Sequence, residues 1–253
     1  MHVLRFLAFG DVHVPRYFPV FISSVNSLVG FRPDIILLAG DIVDRGDVRG
    51  FDLVRRFLRS KYGSTPIVSV FGNEEYTEMH DEFRKRYSDI IWLDDSSWYH
   101  DINGVRLCVF GSRGSLEKLT PWQSRSAPHL RDVYEWRIEN ARSILSSLRA
   151  SCYYLILLLH YAPTYLTLRG EPESIYKFLG HRGFERVIME TRPDLVLHAH
   201  SHGSRVLRAR IGASNIFNVS IPAVGSVTAG IIRKNLEESD PDIEIISPTG
   251  RSL

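Results

Sequence analysis

The chain has only two cysteines, Cys108 and Cys152, in or beside apolar runs and too far apart to form a C-x-x-C metal or redox motif. They read as free, buried thiols of a protein kept in a reducing cytosol. An excess of charge is also missing. The 31 Lys and Arg against 29 Asp and Glu leave a formal charge of +2, which gives no general attraction to nucleic acid or to an anionic membrane. Long apolar runs are absent too: the longest, Tyr153 to Leu159, falls well short of the roughly 20 residues that cross a bilayer. The stretch from Val3 to Phe9 is broken by Arg5 and lacks the length and cleavage site of a signal peptide. A soluble cytoplasmic protein with no membrane partner is the expectation. No repeat, low-complexity tract or linker marks a boundary, and 44% hydrophobic with 24% charged residues is ordinary for a folded chain. One domain over residues 1–253 is therefore expected.

What is present is alternation. Short apolar runs at Leu4 to Phe9, Ile35 to Leu38, Ile67 to Phe71, Val105 to Phe110, Tyr153 to Leu159 and Leu195 to Leu197 read as strands. Between them, Phe18 to Val29, Phe51 to Lys61, Leu130 to Leu148 and Ile175 to Glu190 carry apolar residues at helical spacing. This is an α/β pattern. After His202 the helices stop, and Arg205 to Ile211, Ile216 to Ile221, Ser226 to Arg233 and Ile243 to Ile246 read as successive strands of a second, mainly antiparallel sheet. Residues 112–130 read as a long loop able to cap a substrate, and the tail from Ser247 to Leu253 as frayed.

Ligand-type side chains stand at the ends of these runs, where open α/β sheets bind their ligands. They are Asp11-Val12-His13, Gly40-Asp41-Ile42-Val43-Asp44, Gly72-Asn73-Glu74-Glu75 and His200-Ser201-His202, with His160 after the third long run. Singly, Asp11 and Asp41 would serve as turn or capping residues and His160 as a core histidine. That reading accounts for neither His13 nor Asn73. Together the clusters indicate a two-metal hydrolytic site, which needs a shared anion, several neutral donors and open positions for water and substrate. Asp41 is the natural bridge. Carboxylate, imidazole and amide donors suit Mn²⁺, Fe²⁺, Zn²⁺ or Co²⁺ better than the all-oxygen shells of Ca²⁺ and Mg²⁺.

In this order the motifs resemble those of the calcineurin-like metallophosphoesterases: D-x-H, G-D-x-x-D, G-N-H-D/E, a lone His and G-H-x-H, matched from Asp11 to His202. The resemblance implies a four-layer α-β-β-α sandwich with two packed mixed β-sheets. It also implies Asp11, His13 and His202 on one ion, Asn73, His160 and His200 on the other, and Asp41 on both. The implied reaction is hydrolysis of a phosphoester, with a metal-bridging hydroxide attacking phosphorus in line with the departing alcohol. The elements Gly111-Ser112-Arg113-Gly114 and Pro121-Trp122-Gln123 look similar to the Icc-related prokaryotic branch.

The chain departs from the family pattern in two places. Ala199 replaces the Gly of G-H-x-H, and Glu74 replaces the His of G-N-H-D/E, the family's usual group for protonating the leaving group, with Asp44 in the supporting position. Losing one acid–base group typically removes about 10²- to 10⁴-fold of rate. The expectation is an attenuated enzyme that favours good leaving groups, with Glu74, Asp44 and Arg45 as its non-ligand catalytic candidates. Arg45 would grip a substrate phosphate or pair with Asp47. A small phosphodiester is the preferred substrate; a nuclease would need a basic groove that the sequence does not provide. The alternative from another class is a non-catalytic scaffold of the same fold, as in a family member of the retromer coat. Retention of all seven ligands speaks against it.

Of the remaining residues, Arg113, Trp122, Arg125 and His129 are candidates for a cap that stacks a base or grips a phosphate. His198 belongs either beside the metals or to the core, and His2, His80, His100 and His181 read as surface residues.

Overall fold

A computed structural model describes residues 2–102, 104–235 and 241–246; the tail expected to fray lies outside these. In chain order the elements begin with β1 (His2–Phe9), α1 (Phe18–Ser27), β2 (Ile35–Leu38), α2 (Phe51–Tyr62), β3 (Ile67–Val70), α3 (His80–Arg86) and β4 (Ile91–Leu93). There follow β5 (Ser96–Ile102), β6 (Val105–Ser112), α4 (Pro121–Ser126), α5 (Leu130–Arg149), β7 (Tyr154–Leu159), α6 (Gly183–Thr191) and β8 (Leu195–His198). The last are β9 (Arg208–Ile211), β10 (Ser214–Asn218), α7 (Ile221–Val224), β11 (Thr228–Lys234) and β12 (Asp242–Ile246).

Two six-stranded mixed sheets form, ordered β12-β11-β1-β2-β3-β4 and β5-β6-β7-β8-β10-β9. Within them β1 to β4 run parallel, as do β6, β7, β8 and β10. The central strands are uninterrupted apolar runs because both of their faces are buried. On β1, Leu7 and Phe9 meet the helices while Leu4, Phe6 and Ala8 meet the other sheet; on β7, Leu155, Leu157 and Leu159 face helices and Tyr154, Ile156 and Leu158 face the first sheet. Helices α1 to α3 cover one outer face and α5 and α6 the other. This is the four-layer α-β-β-α sandwich.

Several local expectations are corrected. The strands after His202 do not build a sheet of their own: β9 and β10 extend the second sheet, whereas β11 and β12 pair antiparallel onto β1. Periodicity reports that a segment is a strand but not which neighbour it finds. The helix expected over Ile175 to Glu190 is split into a 3₁₀ segment at Glu173–Phe178 and α6. At the break Gly180 packs its Cα on the Ala162 carbonyl, leaving no room for a side chain. The loop at 112–130 contains a helix, α4, opened by a reciprocal capping box between Thr120 and Gln123.

The cysteines are not free thiols. Cys108 and Cys152 form a disulfide with their Cα atoms 5.8 Å apart. Cys108 lies in β6 and Cys152 two residues before its parallel neighbour β7, and both belong to the apolar cluster between the second sheet and its helices. Helices α4 and α5 separate the two in sequence, so their spacing gave no sign of it.

Candidate metal centre

The parallel strands of both sheets deliver their C-terminal ends to one place. Asp11 and His13 follow β1, Asp41 follows β2, Asn73 follows β3, His160 follows β7, and His200 and His202 follow β8. The ladders persist for a residue or two past the strands, with Asp11 N donating to Gly40 O and His13 N to Asp41 O, both at 3.0 Å, and Ala199 N to His160 O at 3.0 Å. Then the chain turns sharply. Asp11, His13, Asp41, Arg45 and His200 all have left-handed backbone, with φ of 56°, 44°, 51°, 51° and 67°. Such conformations cost of order 1–3 kcal/mol each and gather where function fixes geometry. Gly40, at φ 81°, permits the tightest of these turns, and a Cβ there would sit 2.6 Å from Gly72 N.

Two ligand groups result. Asp11, His13 and His202 form one and Asp41, His160 and His200 the other, with the donor atoms inside each group within 4.8 Å of one another. Asp41 links them, since its Oδ2 lies 4.0 Å from His13 Nε2 and 3.4 Å from His160 Nε2. Asn73 Oδ1 is 3.0 Å from His160 Nε2, at the edge of the second group. Asp11 Oδ1 and His13 Nε2 are buried without a hydrogen-bond partner. Buried polar atoms are rarely left so, and a divalent cation would satisfy both. The donor set therefore fits the metal ions that the resemblance implies.

The electrostatics agree with that fit. Burial would raise the Asp11 carboxyl, but its bond to His202 and the charge of His160 hold it well below the ordinary range. Burial would lower His160, yet the Asp41 carboxylate beside it pushes it up to about 9, so a cation entering here takes a proton's place. Its Nδ1 faces Ala39 O at 2.8 Å, which leaves Nε2 for the site. His200 goes the other way: burial, then the neighbouring His160 charge, bring it down to about 3.

Two carboxylates that the sequence did not assign shape the site. Glu75 is 1% exposed and accepts from four backbone N–H groups, those of Asp41 at 2.8 Å, Ile42 at 2.7 Å, Val43 at 3.2 Å and Gly72 at 2.7 Å. Burial and the nearby Asp41 charge push its carboxyl up to about 7. Its place at the end of G-N-H-D/E was the available signal. Glu171 gave none. Its Oε1 takes Gly203 N at 2.5 Å and Ser201 Oγ at 3.2 Å, clasping the loop that carries His200 and His202.

Glu74 N donates to Asp41 Oδ1 at 2.7 Å, while the Glu74 carboxylate accepts from Arg45 N at 2.9 Å. Asp44 Oδ1 lies 2.7 Å from His13 Nδ1. Arg45 is exposed and forms no ion pair with Asp47 among the described residues. In the expected cap, Arg113 turns inward, its Nη2 at 3.2 Å from Glu75 O and 3.0 Å from His80 Nε2, whereas Trp122, Arg125 and His129 stay exposed. Leu116 and Leu119 pack on Tyr134 and Tyr161, and the Tyr161 ring lies 4.8 Å from that of His200. Contrary to expectation His80 is buried, stacked on Phe71 at 3.6 Å. His198 stays outside both ligand groups, its Nε2 at 2.8 Å from Thr167 Oγ1. The Ala199 methyl fits because residue 10 is Gly; a Cβ there would lie 2.6 Å from it.

The family model described as calcineurin-like phosphoesterase matches residues 4–204. The chain belongs to that family, which supports metal-dependent phosphoester hydrolysis; the match does not distinguish the Icc-related branch. Among solved structures, a phosphopantetheinyl hydrolase from Mycobacterium tuberculosis is similar at TM-score 0.64 and 13% identity, over 86% of this chain and 89% of that one. A dimetal phosphatase from Danio rerio is similar at TM-score 0.61 and 11% identity, over 95% and 98%. A putative 5'-nucleotidase from Staphylococcus aureus is similar at TM-score 0.60 and 14% identity, over 99% of this chain but 55% of that longer one. At these identities the likeness is one of fold. Comparison with curated proteins returns no match. No helix among the described residues is long and apolar enough to cross a membrane.

Proposed function

We propose that this chain hydrolyses small phosphodiesters with good leaving groups at a dinuclear centre held by Asp11, His13 and His202 on one side and Asn73, His160 and His200 on the other, bridged by Asp41. The observation that carries this reading is the position of Asp41 Oδ2 between the imidazoles of two separate ligand groups. Divalent cations in these groups would supply the Lewis acidity and water activation that phosphoester hydrolysis needs. The chain's own part is to orient the donors. Glu75 fixes the Asp41 turn through three N–H groups and ties it to Gly72 through a fourth, Ala39 O fixes the His160 ring, and Glu171 fixes the His200–His202 loop.

The preference for a diester follows from Glu74. It places an extra carboxylate beside the site, where the family's His would add none. Added negative charge disfavours a dianionic monoester more than a monoanionic diester. A Glu74 carboxylate engaged by Arg45 N is also poorly placed to protonate a departing alkoxide, which favours leaving groups that need no proton.

The test compares bis-p-nitrophenyl phosphate with p-nitrophenyl phosphate after reconstitution with Mn²⁺, Zn²⁺, Co²⁺ or Mg²⁺, beside an EDTA arm and the Asp41→Asn and His200→Ala variants. Metal-dependent turnover with a diester-to-monoester ratio above one, abolished in both variants, is expected. Folded, metal-loaded protein that turns over neither ester would overturn the catalytic reading in favour of a scaffold. Glu74→His should accelerate esters of poor leaving groups by about 10²-fold; no acceleration would remove the account of Glu74.

A further inference from the structure

We infer that Asp44 is a positioning residue for His13, holding that imidazole in the single tautomer and orientation in which its Nε2 lone pair enters the metal site. This inference rests on the dinuclear reading above and adds to it the means by which one buried ligand is kept in place.

Three observations carry it. Asp44 Oδ1 lies 2.7 Å from His13 Nδ1, a short contact for an N–H and a carboxylate. A carboxylate only accepts, so Nδ1 carries a ring hydrogen and Nε2 is the nitrogen left for the metal site. That Nε2 is buried, has no hydrogen-bond partner, and lies 3.9 Å from Asp11 Oδ1 and 4.0 Å from Asp41 Oδ2. It is aimed between the two aspartates. Finally, Asp44 is itself held. The turn that carries it is fixed by Glu74, whose carboxylate takes Arg45 N at 2.9 Å and whose carbonyl takes Gly46 N at 2.7 Å. The left-handed backbone of Arg45 and Gly46, at φ 51° and 68°, is what lets both N–H groups reach the one residue.

Glu74 thus holds the turn, the turn holds Asp44, and Asp44 holds His13. The Asp44 side chain is spent on a ligand imidazole and does not reach Glu74 through any hydrogen bond among the described residues. The two residues act in series on one ligand, and neither serves as an acid beside the leaving group. Hydrogen-bonded partners of this kind typically contribute about 10- to 100-fold in metal affinity.

The experiment titrates the metal-free protein with Co²⁺, followed by visible absorption and calorimetry, in wild type, Asp44→Ala, Asp44→Asn and Asp47→Ala. Nitrogen-15 imidazole spectra of the metal-free forms report the His13 tautomer. Wild type should bind Co²⁺ in two steps. Asp44→Ala should weaken one step by about 10- to 100-fold and spare the other, with the Nδ1–H form of His13 lost. Asp44→Asn, whose amide oxygen still accepts, should recover most of the affinity and the tautomer, and Asp47→Ala, which removes an exposed charge nearby, should change neither. Two outcomes overturn the inference: both steps in Asp44→Ala within two-fold of wild type, or Asp44→Asn as weak as Asp44→Ala, which would make the effect one of charge. If Asp44→Ala does not fold, the asparagine variant and the imidazole spectra decide. Wild type that takes up no Co²⁺ would instead remove the dinuclear reading, and this inference with it.

Discussion

The loops leaving the first sheet and those leaving the second meet over one site, but they are built differently. After β1 and β2 the connections turn through left-handed backbone, and those after β2 and β3 are gathered on a buried carboxylate, Glu75. After β6 and β7 they are long excursions, 113–129 and 160–182, tied to each other near the surface by Glu117 and Arg182 at 2.8 Å and by Lys118 N to Lys177 O at 2.9 Å. The first half spends its sequence on fixing donors. The second supplies three histidines and then leaves length free for whatever surrounds the substrate.

That contrast can be broken at its strongest point first. Glu75→Ala should destabilise the fold by about 5 kcal/mol, because it leaves several buried N–H groups unpaired at roughly 1–3 kcal/mol each. Urea unfolding of the metal-free protein measures it, and a loss under about 1 kcal/mol would mean that the first-sheet loops hold themselves. On the second sheet the comparable restraint is covalent. Replacing Cys108 and Cys152 by Ser opens a 44-residue loop, which should cost about 4 kcal/mol and lower Tm by on the order of 8 °C. Calorimetry with and without reductant should give the same fall.

The surface tie sharpens the contrast from below. Burial would raise the Glu117 carboxyl, but its bonds to Arg182 bring it down to about 2. A carboxyl depressed in the folded state stabilises above its unfolded pKa, about 4.3, and loses that contribution as pH falls toward the folded value of about 2. Glu117→Gln should therefore lower Tm by roughly 1–2 °C near neutrality, with the difference from wild type vanishing toward pH 2. A difference that persisted in acid would assign the effect to packing.

Much of this was legible in the residues. Runs buried on both faces announced the strands of the central layers, and Asp11, His13, Asp41, Asn73, His160, His200 and His202 lie together because each follows a parallel strand. What was hidden is pairing at a distance. Nothing local links Cys108 to Cys152, Glu171 to Gly203 or Asp44 to His13. The edge strand β5 escaped notice because its residues are mostly half-buried or exposed and mixed in polarity. Glu75 was in view at the end of its motif but without a role, since a sequence does not display the backbone N–H groups that a buried carboxylate collects.

Stacked sheets ordinarily touch only through side chains, about 10 Å apart. Here hydrogen bonds join them as well. Gly10 N bonds to Val219 O at 3.0 Å, Ile221 N to Gly10 O at 3.1 Å, and His160 Nδ1 to Ala39 O at 2.8 Å. The layers are joined again at the opposite end, where Tyr153 Oη donates to Lys234 O at 2.7 Å and Lys234 Nζ donates to Tyr153 O and Asp194 Oδ1, both at 2.8 Å. Fastened at both ends of their strands, the sheets form a closed frame, and the donor atoms are held by a scaffold that resists sliding of one layer over the other.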